Sequence, residues 1–536
     1  MPIAPALAPE VAELLLGHLT AARWFGGKGR RVSVVGVTPL PWLTSLPDYL
    51  DSPHGLAVRP EVLEVAYSAP EDPTPVDDPD EVDDDREPEA PEAPEAVART
   101  SGPRELYQLV LGYRPAPHPD LQHAEIGRWN DPELGPVVAY DALQDPEACA
   151  VLLRALLDEQ AQQTAETRLV FHLSAARGLS PDLPAAVFTG QQSNTSVMFG
   201  EVAMLKVFRR LELGRNLDIE VHDALSRTAM ADVATLYGWI NATWTGTHPT
   251  TGRVETLDAD LGMVVEKLAE ATDGWGLALD ALRQGESFAG PAHDLGHALA
   301  ETHTALRSAF PTGRQSGAAV ATVMRDRLTT AAGIAPALEP YVAPLGEVFD
   351  TVAASELDTQ RVHGDFHLGQ TLHTPAGWKI IDFEGEPVKT LVERAAPDSV
   401  WRDIAGMLRS FDYAAASVPG PDSRDWALEC RQAFLSGYAG DGLSAADAST
   451  LQAYEADKAV YEVVYEVRNR PDWVSIPLGA VATITASRTE HGEHDQARNA
   501  GHDQARNATH DQARNATHDQ ARNATTRSGA SNQVKE

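Results

Sequence analysis

The stretch VHGDFHLGQTLHTPAGWKIIDFEGEP, at Val362–Pro387, constrains the fold and chemistry of this chain more than any other. Its pattern predicts the end of an apolar strand, a polar loop, a tight turn and a second short strand. The loop carries Asp365 and, five residues later, Gln370, and the second strand delivers Asp382. A carboxylate and two further oxygen-bearing side chains that converge across a hairpin are able to orient a hydroxyl group and to hold Mg²⁺.

The same spacing is typical of kinase catalytic sites, where a catalytic-loop Asp precedes a metal-binding Asn and a DFG Asp follows on the next hairpin. Here Gln370 stands in the place of Asn, and Asp382-Phe383-Glu384 stands in the place of DFG. A surface hairpin rich in turn residues is the alternative. We favour the catalytic interpretation, because three oxygen ligands at matching spacing seldom coincide by chance. It makes Asp365 the catalytic residue, with Gln370 and Asp382 as Mg²⁺ ligands.

Composition limits the class of protein. A chain of 536 residues is too long for one core, so two or three domains are expected. With 78 acidic against 43 basic residues, the net charge is −35, which makes nucleic acid and anionic membranes poor partners. No apolar run has the length of a membrane span, and Glu10 and Glu13 argue against a secretion signal. Two cysteines suit a reducing compartment, so we expect a cytoplasmic protein. We also expect a monomer.

Residues 1–115 predict a separate α+β unit, with a helix at Pro9–Leu19 and strands at Glu61–Ala66 and Glu105–Tyr113. The segment 70–103 between those strands is rich in Asp, Glu and Pro. It cannot bury apolar surface, and we predict a disordered insertion in a hairpin. The tail at 491–536 contains a polar octapeptide repeat and is predicted to be disordered for the same reason.

A nucleotide site is predicted upstream of the central hairpin. Ala185–Arg210 indicates three strand pieces, with a polar loop at Gln191–Ser196 whose backbone N–H groups would cradle phosphates. Lys206 follows on an apolar strand, and an inward Lys needs an anionic partner such as a nucleotide phosphate. Glu220, fourteen residues later on a helix, is the carboxylate predicted to aim it; a surface Lys is the alternative. The loop residues predicted to bind ATP are Gln192, Ser193, Asn194, Thr195 and Ser196.

The strand Leu261–Leu268 is predicted to lead from one lobe of the nucleotide site to the other. Such a crossing is where an adenine pairs with backbone groups. Glu266 and Leu268 are assigned to that role from their order along the chain, since backbone pairing leaves no side-chain signature.

The predicted helix Tyr454–Asn469 and the RNRPDW segment after it combine aromatic rings, carboxylates and Arg. Such groups stack on a sugar ring and bind its hydroxyls, although an ordinary helix core gives the same pattern. The side chains predicted to bind substrate are His367, Glu384, Tyr461, Glu462, Tyr465, Arg470 and Trp473.

A zinc hydrolase is an alternative, because HDLGHALAETH places His293, His297 and His303 at the spacing of a metalloprotease motif. Asp294 replaces the general-base Glu, however. The pattern also continues as a helix, which would separate the outer histidines by about 15 Å along its axis. Histidines on an ordinary amphipathic helix are therefore favoured.

Taken together, the chain resembles the maltokinases of the aminoglycoside-phosphotransferase-like kinase group over roughly residues 1–485. The motifs that carry the resemblance are ARWFGGKGR, TGQQSNTSVMFG, LKVFRR, HGDFHLGQ, IIDFEGEP and YEVVYEVRNRPDWVSIPL. The resemblance implies an α+β, bilobal protein-kinase-like fold with the N-terminal cap at 1–115. The nucleotide-binding lobe would then span 116–270, and a mostly helical lobe 271–490.

The resemblance also implies transfer of the ATP γ-phosphate, with Mg²⁺, to the anomeric hydroxyl of maltose. It implies a place in trehalose-to-α-glucan (glycogen) metabolism and association with a trehalose- or maltose-converting enzyme. An aminosugar kinase of glucosamine type and a nucleotide-binding regulatory module without turnover are the alternatives within this fold.

Overall fold

The computed structural model describes residues 8–52, 54–68, 103–188, 194–228, 232–386, 389–440 and 442–486. The predicted insertion, apart from Pro103, lies outside these ranges, as do Gln192, Ser193 and the octapeptide tail. The described chain forms two compact units. The first comprises Met1–Thr312, Gln360–Asp398 and Gln432–Gly440, and the second Gly313–Thr359, Ser399–Arg431 and Asp441–Glu536, each over its described residues.

The first unit opens with an antiparallel sheet, here called the cap sheet, in the strand order β1-β2-β3-β5-β4. Both faces of β2 and β3 are largely buried, and Leu15 and Leu19 of α1 belong to the same core. The elements are α1 (Pro9–Ala21), β1 (Val32–Pro39), α2 (Leu46–Leu50), β2 (Ala57–Tyr67), β3 (Arg104–Arg114), β4 (Glu125–Asp131) and β5 (Gly135–Asp141).

The cap sheet corrects the predicted boundary at residue 115. Strand β5 pairs with β3, so that Leu111 lies opposite Asp141, and β4 pairs with β5. The cap sheet therefore continues to Asp141, since a strand at 135–141 cannot belong to the next domain while it is paired within this sheet. The predicted hairpin is confirmed, because Ala66 lies opposite Arg104.

The second sheet of this unit, the nucleotide sheet, has the order β6-β7-β12-β13-β10-β9-β8. Asp145 caps the N-terminus of α3, and Asn216 caps that of α4 by accepting from the Ile219 N–H group. The elements are α3 (Pro146–Leu157), β6 (Ala161–Gln163), β7 (Thr167–Leu173), β8 (Ala185–Val187), β9 (Thr195–Phe199), β10 (Ala203–Val207), α4 (Leu217–Ser226), β12 (Leu236–Thr247) and β13 (Val254–Glu266). Strand β11 (Arg210–Leu211), which follows β10, pairs with β3 of the cap sheet.

The remaining elements of the first unit surround a small three-stranded sheet, β14-β17-β18. Gly377 closes its tight turn with φ of +108°, a conformation that side chains with a Cβ rarely adopt. The elements are β14 (Thr272–Asp273), α5 (Gly274–Gln284), α6 (Ala289–Ala309), β17 (Thr371–Thr374), β18 (Gly377–Ile380) and α9 (Leu391–Ala395).

The second unit is mainly helical, as predicted for this part of the chain. Its interior contains buried ion pairs, in which Arg409 bonds Glu462 at 2.8 Å and Arg431 bonds Glu455 at 2.6 Å. The elements are β15 (Gly313–Ser316), α7 (Gly317–Ile334), α8 (Val342–Asp350), β16 (Glu356–Thr359), α10 (Trp401–Ser417) and α12 (Ala445–Asn469), and α11 (Ser423–Ala439) contributes to both units. Among the described helices we find none with the length and apolar content that crossing a bilayer requires.

Candidate active site

The central hairpin brings Gln370 and Asp382 together. Gln370 precedes β17 and Asp382 follows β18, and the pairing of Thr371 with Ile380 sets them side by side. The Gln370 side-chain amide donates to Asp382 Oδ2 at 3.2 Å, and the Ile381 N–H donates to the Gln370 carbonyl at 3.1 Å. The convergence predicted for these two side chains is therefore present, and their role as metal ligands stays a prediction.

The loop that carries Asp365 packs directly on the turn after Asp382. Gly364 has φ of +88°, and a Cβ at this position would lie 3.4 Å from Cα of Gly385. His363 Nε2 lies 2.9 Å from the Ile381 carbonyl oxygen. Asp382 itself has φ of +67°, a left-handed conformation that Asp tolerates better than most side chains. Two close backbone approaches thus set the position of Asp365 relative to the hairpin.

Lys206 is bound by three carboxylates. Its ammonium group donates to Glu384 at 2.9 Å, to Asp218 at 3.2 Å and to Asp382 at 3.3 Å. Burial by itself lowers the pKa of Lys206, but Glu384, Asp218 and Asp382 outweigh burial and raise that pKa well above its ordinary value. Lys206 is therefore a fixed positive charge at the end of the central hairpin, and the surface-lysine alternative is wrong.

The predicted pairing of Lys206 with Glu220 is wrong, because the helix residue that accepts from Lys206 is Asp218. Two residues along a helix correspond to a rotation of about 200°, so Asp218 and Glu220 lie on different faces of α4. Glu220 instead accepts from Arg361 at 2.9 Å. Both acids follow the Asn216 cap, and the distance from Lys206 along the chain does not distinguish them.

Asp218 also connects α4 to the segment after the hairpin. One carboxylate oxygen accepts from the Phe383 backbone N–H at 3.0 Å, and His222 Nδ1 lies 3.1 Å away. Burial by itself raises the pKa of Asp218, but Lys206 and His222 reverse this effect and hold it well below its ordinary value. Asp218 is therefore an ionised, buried anchor that sequence reasoning missed.

The carboxylates around Lys206 fit a hard divalent cation. Asp218, Asp382 and Glu384 each offer an oxygen, and these oxygens lie within 4.8 Å of one another. Mg²⁺ prefers such oxygen ligands, and Gln370 adds an amide beside Asp382. Glu384, predicted to bind sugar, is thus found in the carboxylate cluster instead. Burial raises the pKa of Glu384, an effect that Lys206 opposes.

Two of the residues predicted for the phosphate loop belong to a strand. Thr195 and Ser196 lie inside β9 and are buried, so their assignment to the loop is wrong; Asn194 precedes the strand. The Thr195 hydroxyl accepts from Arg209 Nε at 2.8 Å. The Gln192 and Ser193 predictions lie outside the described residues.

Arg209 joins the end of this loop to the cap. Its side chain is 1% exposed, and it donates to Asp141 of β5 at 2.7 Å. Its guanidinium carbon lies 4.8 Å from the centre of the Trp24 ring, which belongs to the ARWFGGKGR motif. Burial by itself raises the pKa of Asp141, but Arg209 and His18 outweigh burial and hold it at about 2. A strong buried ion pair therefore adjoins the start of β9, the strand that follows the predicted phosphate loop.

Two backbone N–H groups of the segment predicted to bind adenine are already hydrogen-bonded within the protein. The Glu266 N–H donates to the Thr235 carbonyl at 2.8 Å, and the Lys267 N–H donates to the Val202 carbonyl at 2.9 Å. Pairing through N–H groups in this segment would therefore depend on Leu268. That assignment stays a prediction.

The side chains predicted to bind sugar are divided between the units. His367, in the first unit, accepts from the Gly369 N–H at 3.1 Å and caps a short turn. In the second unit Tyr461 stacks on Tyr465, and Arg470 lies 4.9 Å from the Trp473 ring centre. Glu462 is buried and accepts from Arg409, so its assignment to substrate is corrected to an internal ion pair.

The zinc alternative does not fit the described chain. Helix α6 continues through the motif, as predicted. His297 lies 3.9 Å from Glu301 at the surface, whereas His303 is buried and contacts the Tyr438 hydroxyl at 2.9 Å. These histidines therefore make separate contacts, and the one group with metal-binding geometry in the described residues is the carboxylate cluster.

Comparison with known proteins identifies the same kind of kinase. Residues 68–145 match the maltokinase N-terminal cap domain, a range that ends close to the last strand of the cap sheet. A glucosamine kinase of Streptacidiphilus jiangxiensis is 30% identical over 357 residues, which cover 57% of this chain and 78% of that protein. A glucosamine kinase of Mycolicibacterium smegmatis is 27% identical and covers 59% of this chain and 82% of its own length.

A solved glucosamine kinase in complex with glucosamine, ADP and inorganic phosphate shares the fold. It aligns with a TM-score of 0.55 and 21% identity, over 88% of this chain and 98% of its own. The fold is shared, the cap domain matches, and the Streptacidiphilus jiangxiensis enzyme is 30% identical over 78% of its length. This chain therefore belongs to the maltokinase and glucosamine kinase family of aminoglycoside-phosphotransferase-like enzymes, and it is an ATP-dependent sugar kinase.

Proposed function

We propose that this kinase transfers the γ-phosphate of ATP to the anomeric hydroxyl of maltose and forms maltose 1-phosphate. The observation that carries the proposal is the match of residues 68–145 to a maltokinase cap domain. A glucan-building reaction would consume such a product, since a sugar 1-phosphate is an activated glycosyl donor.

In the proposed mechanism Asp365 accepts a hydrogen bond from the sugar hydroxyl and orients it for in-line attack. Lys206 binds the phosphates in place of Asp382 and Glu384, while its bond to Asp218 keeps it aligned. The residues that would hold Mg²⁺ are Asp382 and Gln370, with Glu384 beside them. Mg²⁺, when bound, neutralises charge on the phosphates. The barrier falls through positioning and charge neutralisation rather than through covalent chemistry.

Glucosamine is the second candidate acceptor, and it is favoured by a specific observation. The relatives from Streptacidiphilus jiangxiensis and Mycolicibacterium smegmatis are both glucosamine kinases. The two sugars differ in charge, because glucosamine carries an amine that is protonated near neutral pH and maltose is neutral.

The test is an acceptor screen with maltose, glucose and glucosamine, followed by NMR of the phosphorylated product. Coupling of phosphorus to the anomeric proton of maltose is the expected result. A product phosphorylated on glucosamine alone would overturn the proposal in favour of the second candidate. Binding of ATP without its consumption in the presence of any of these sugars would instead support the regulatory module. The Asp365→Asn variant is the negative control.

A further inference from the structure

A second cleft lies between the cap sheet and the free edge of the nucleotide sheet. It has a volume of about 880 Å³, which is in the range of small-molecule sites. One wall is the segment 38–45 with Arg59 and Glu133, and the other is the segment 160–167 with Thr245. Lys206, Asp365 and the residues of the carboxylate cluster do not line it, so it is separate from the candidate active site.

An oriented tryptophan stands in the first wall. The Trp42 indole N–H donates to Glu133 at 2.7 Å, and the Arg59 guanidinium lies 4.1 Å from the ring centre. Tyr113 approaches the ring edge-on at 5.5 Å. These contacts fix the ring, and Trp42 lines the cleft beside Arg59 and Glu133. A fixed aromatic ring beside polar groups presents a flat apolar surface and hydrogen-bond partners together.

The opposite wall supplies neutral hydrogen-bonding groups. Nine of the eighteen lining residues carry a hydroxyl or a carboxamide, and six of these nine belong to the opposite wall. Gln162 and Gln163 are exposed on β6, which pairs within the described sheet with β7 alone and forms its edge.

The charge of the cleft excludes other ligand classes. Its ionisable side chains among the described residues are Arg59, Glu133 and Glu166. Arg59 is already bonded to Glu61 at 2.8 Å and lies 3.5 Å from Glu133, so the described lining does not favour a phosphate, a nucleotide or an acidic segment. An apolar ligand would leave the amides and hydroxyls without partners.

We propose that this cleft binds a neutral oligosaccharide, which stacks on Trp42 and bonds to the amides and hydroxyls of the opposite wall. The site would hold the kinase on a glucan chain or a longer sugar while the active site works on a small one. This inference does not depend on which sugar is phosphorylated.

The experiment is calorimetric titration of the full-length protein with maltotetraose, without ATP so that no turnover occurs. We expect the Trp42→Ala and Thr245→Arg variants each to weaken binding about tenfold or more, which equals about 1.4 kcal/mol. Thr245 is exposed, so that its substitution blocks the cleft without a packing cost.

The matched control is Trp239→Ala. Trp239 also lies beside an arginine, with Arg215 at 4.3 Å from its ring centre, but it is outside the cleft. Its substitution should leave tetraose binding unchanged, and all three variants should keep ATP-dependent sugar phosphorylation. Absence of binding at about 10 mM tetraose would overturn the proposal. So would binding that the two cleft variants leave intact, because the sugar would then occupy another site.

Discussion

The contrast between Asp218 and Glu220 gives the sharpest test of the active-site geometry. Asp218→Asn removes the charge that Lys206, His222 and the Phe383 N–H group contact. Each charge-assisted bond contributes about 1.5–3 kcal/mol. Lys206 would keep Asp382 and Glu384 as partners and would be drawn toward them and away from the phosphates.

A loss of about 3 kcal/mol in positioning corresponds to a decrease of roughly 100-fold in kcat/KM for ATP. Glu220→Gln is the matched control, since it removes a similar charge two residues away. The Glu220 side chain is 37% exposed and pairs with Arg361, and such pairs contribute about 1 kcal/mol or less. We expect a change below about fivefold for this variant.

The assay is steady-state kinetics with ATP varied at saturating sugar, accompanied by thermal unfolding of each variant. A folded Asp218→Asn enzyme that keeps kcat/KM within about fivefold of the wild type would refute the reasoning. A Glu220→Gln enzyme that loses as much as Asp218→Asn would refute it equally, because Glu220 would then be the residue that aims Lys206.

Three further outcomes are expected. Asp365→Asn should bind ATP and sugar in calorimetry but lose most of its kcat, and a wild-type kcat would contradict the assigned role. Thr195→Val removes the hydroxyl that accepts from Arg209 and should raise KM for ATP several-fold. Thr195→Ser keeps a hydroxyl and should have a KM for ATP near that of the wild type. Equal KM values for the two variants would contradict this link. The pKa of Asp141 lies at about 2 in the folded protein against an ordinary 3.8, so its stabilisation of about 2 kcal/mol should be present above about pH 4 and lost as pH falls toward 2. Chemical denaturation at several pH values in that range measures the free energy of unfolding. If Asp141→Asn leaves the dependence of this free energy on pH unchanged, the assignment to Asp141 is contradicted.

Local patterns predict the central hairpin well, because its spacing and turn are set by neighbours in the chain. The short distance from Gln370 to Asp382 follows from strand pairing alone. Helix α1 and the strands on both sides of the insertion are also predictable, since their apolar periodicity is strong.

The errors concern contacts between elements that are distant in sequence. Distance along the chain from Lys206 does not distinguish Asp218 from Glu220, whereas the rotation of α4 places Asp218 on Lys206 and Glu220 on Arg361. The polarity of Thr195 favours a loop, but Arg209 satisfies its hydroxyl inside a strand. Glu462 resembles a sugar ligand in the sequence, because a buried carboxylate and an exposed one look alike until Arg409 is located.

The buried Arg209 has a consequence for how this enzyme can be truncated or recombined. It lies just beyond β10, the Gln108 N–H donates to its carbonyl at 2.7 Å, and Asp141 balances its charge. The cap sheet therefore supplies the counter-charge for a residue that follows a strand of the nucleotide sheet. Deleting the N-terminal region would remove this counter-charge, and it would expose the core that Val62 and Leu106 of the cap sheet share with Leu205 of the nucleotide sheet. Domain shuffling among such kinases should therefore exchange the two sheets together.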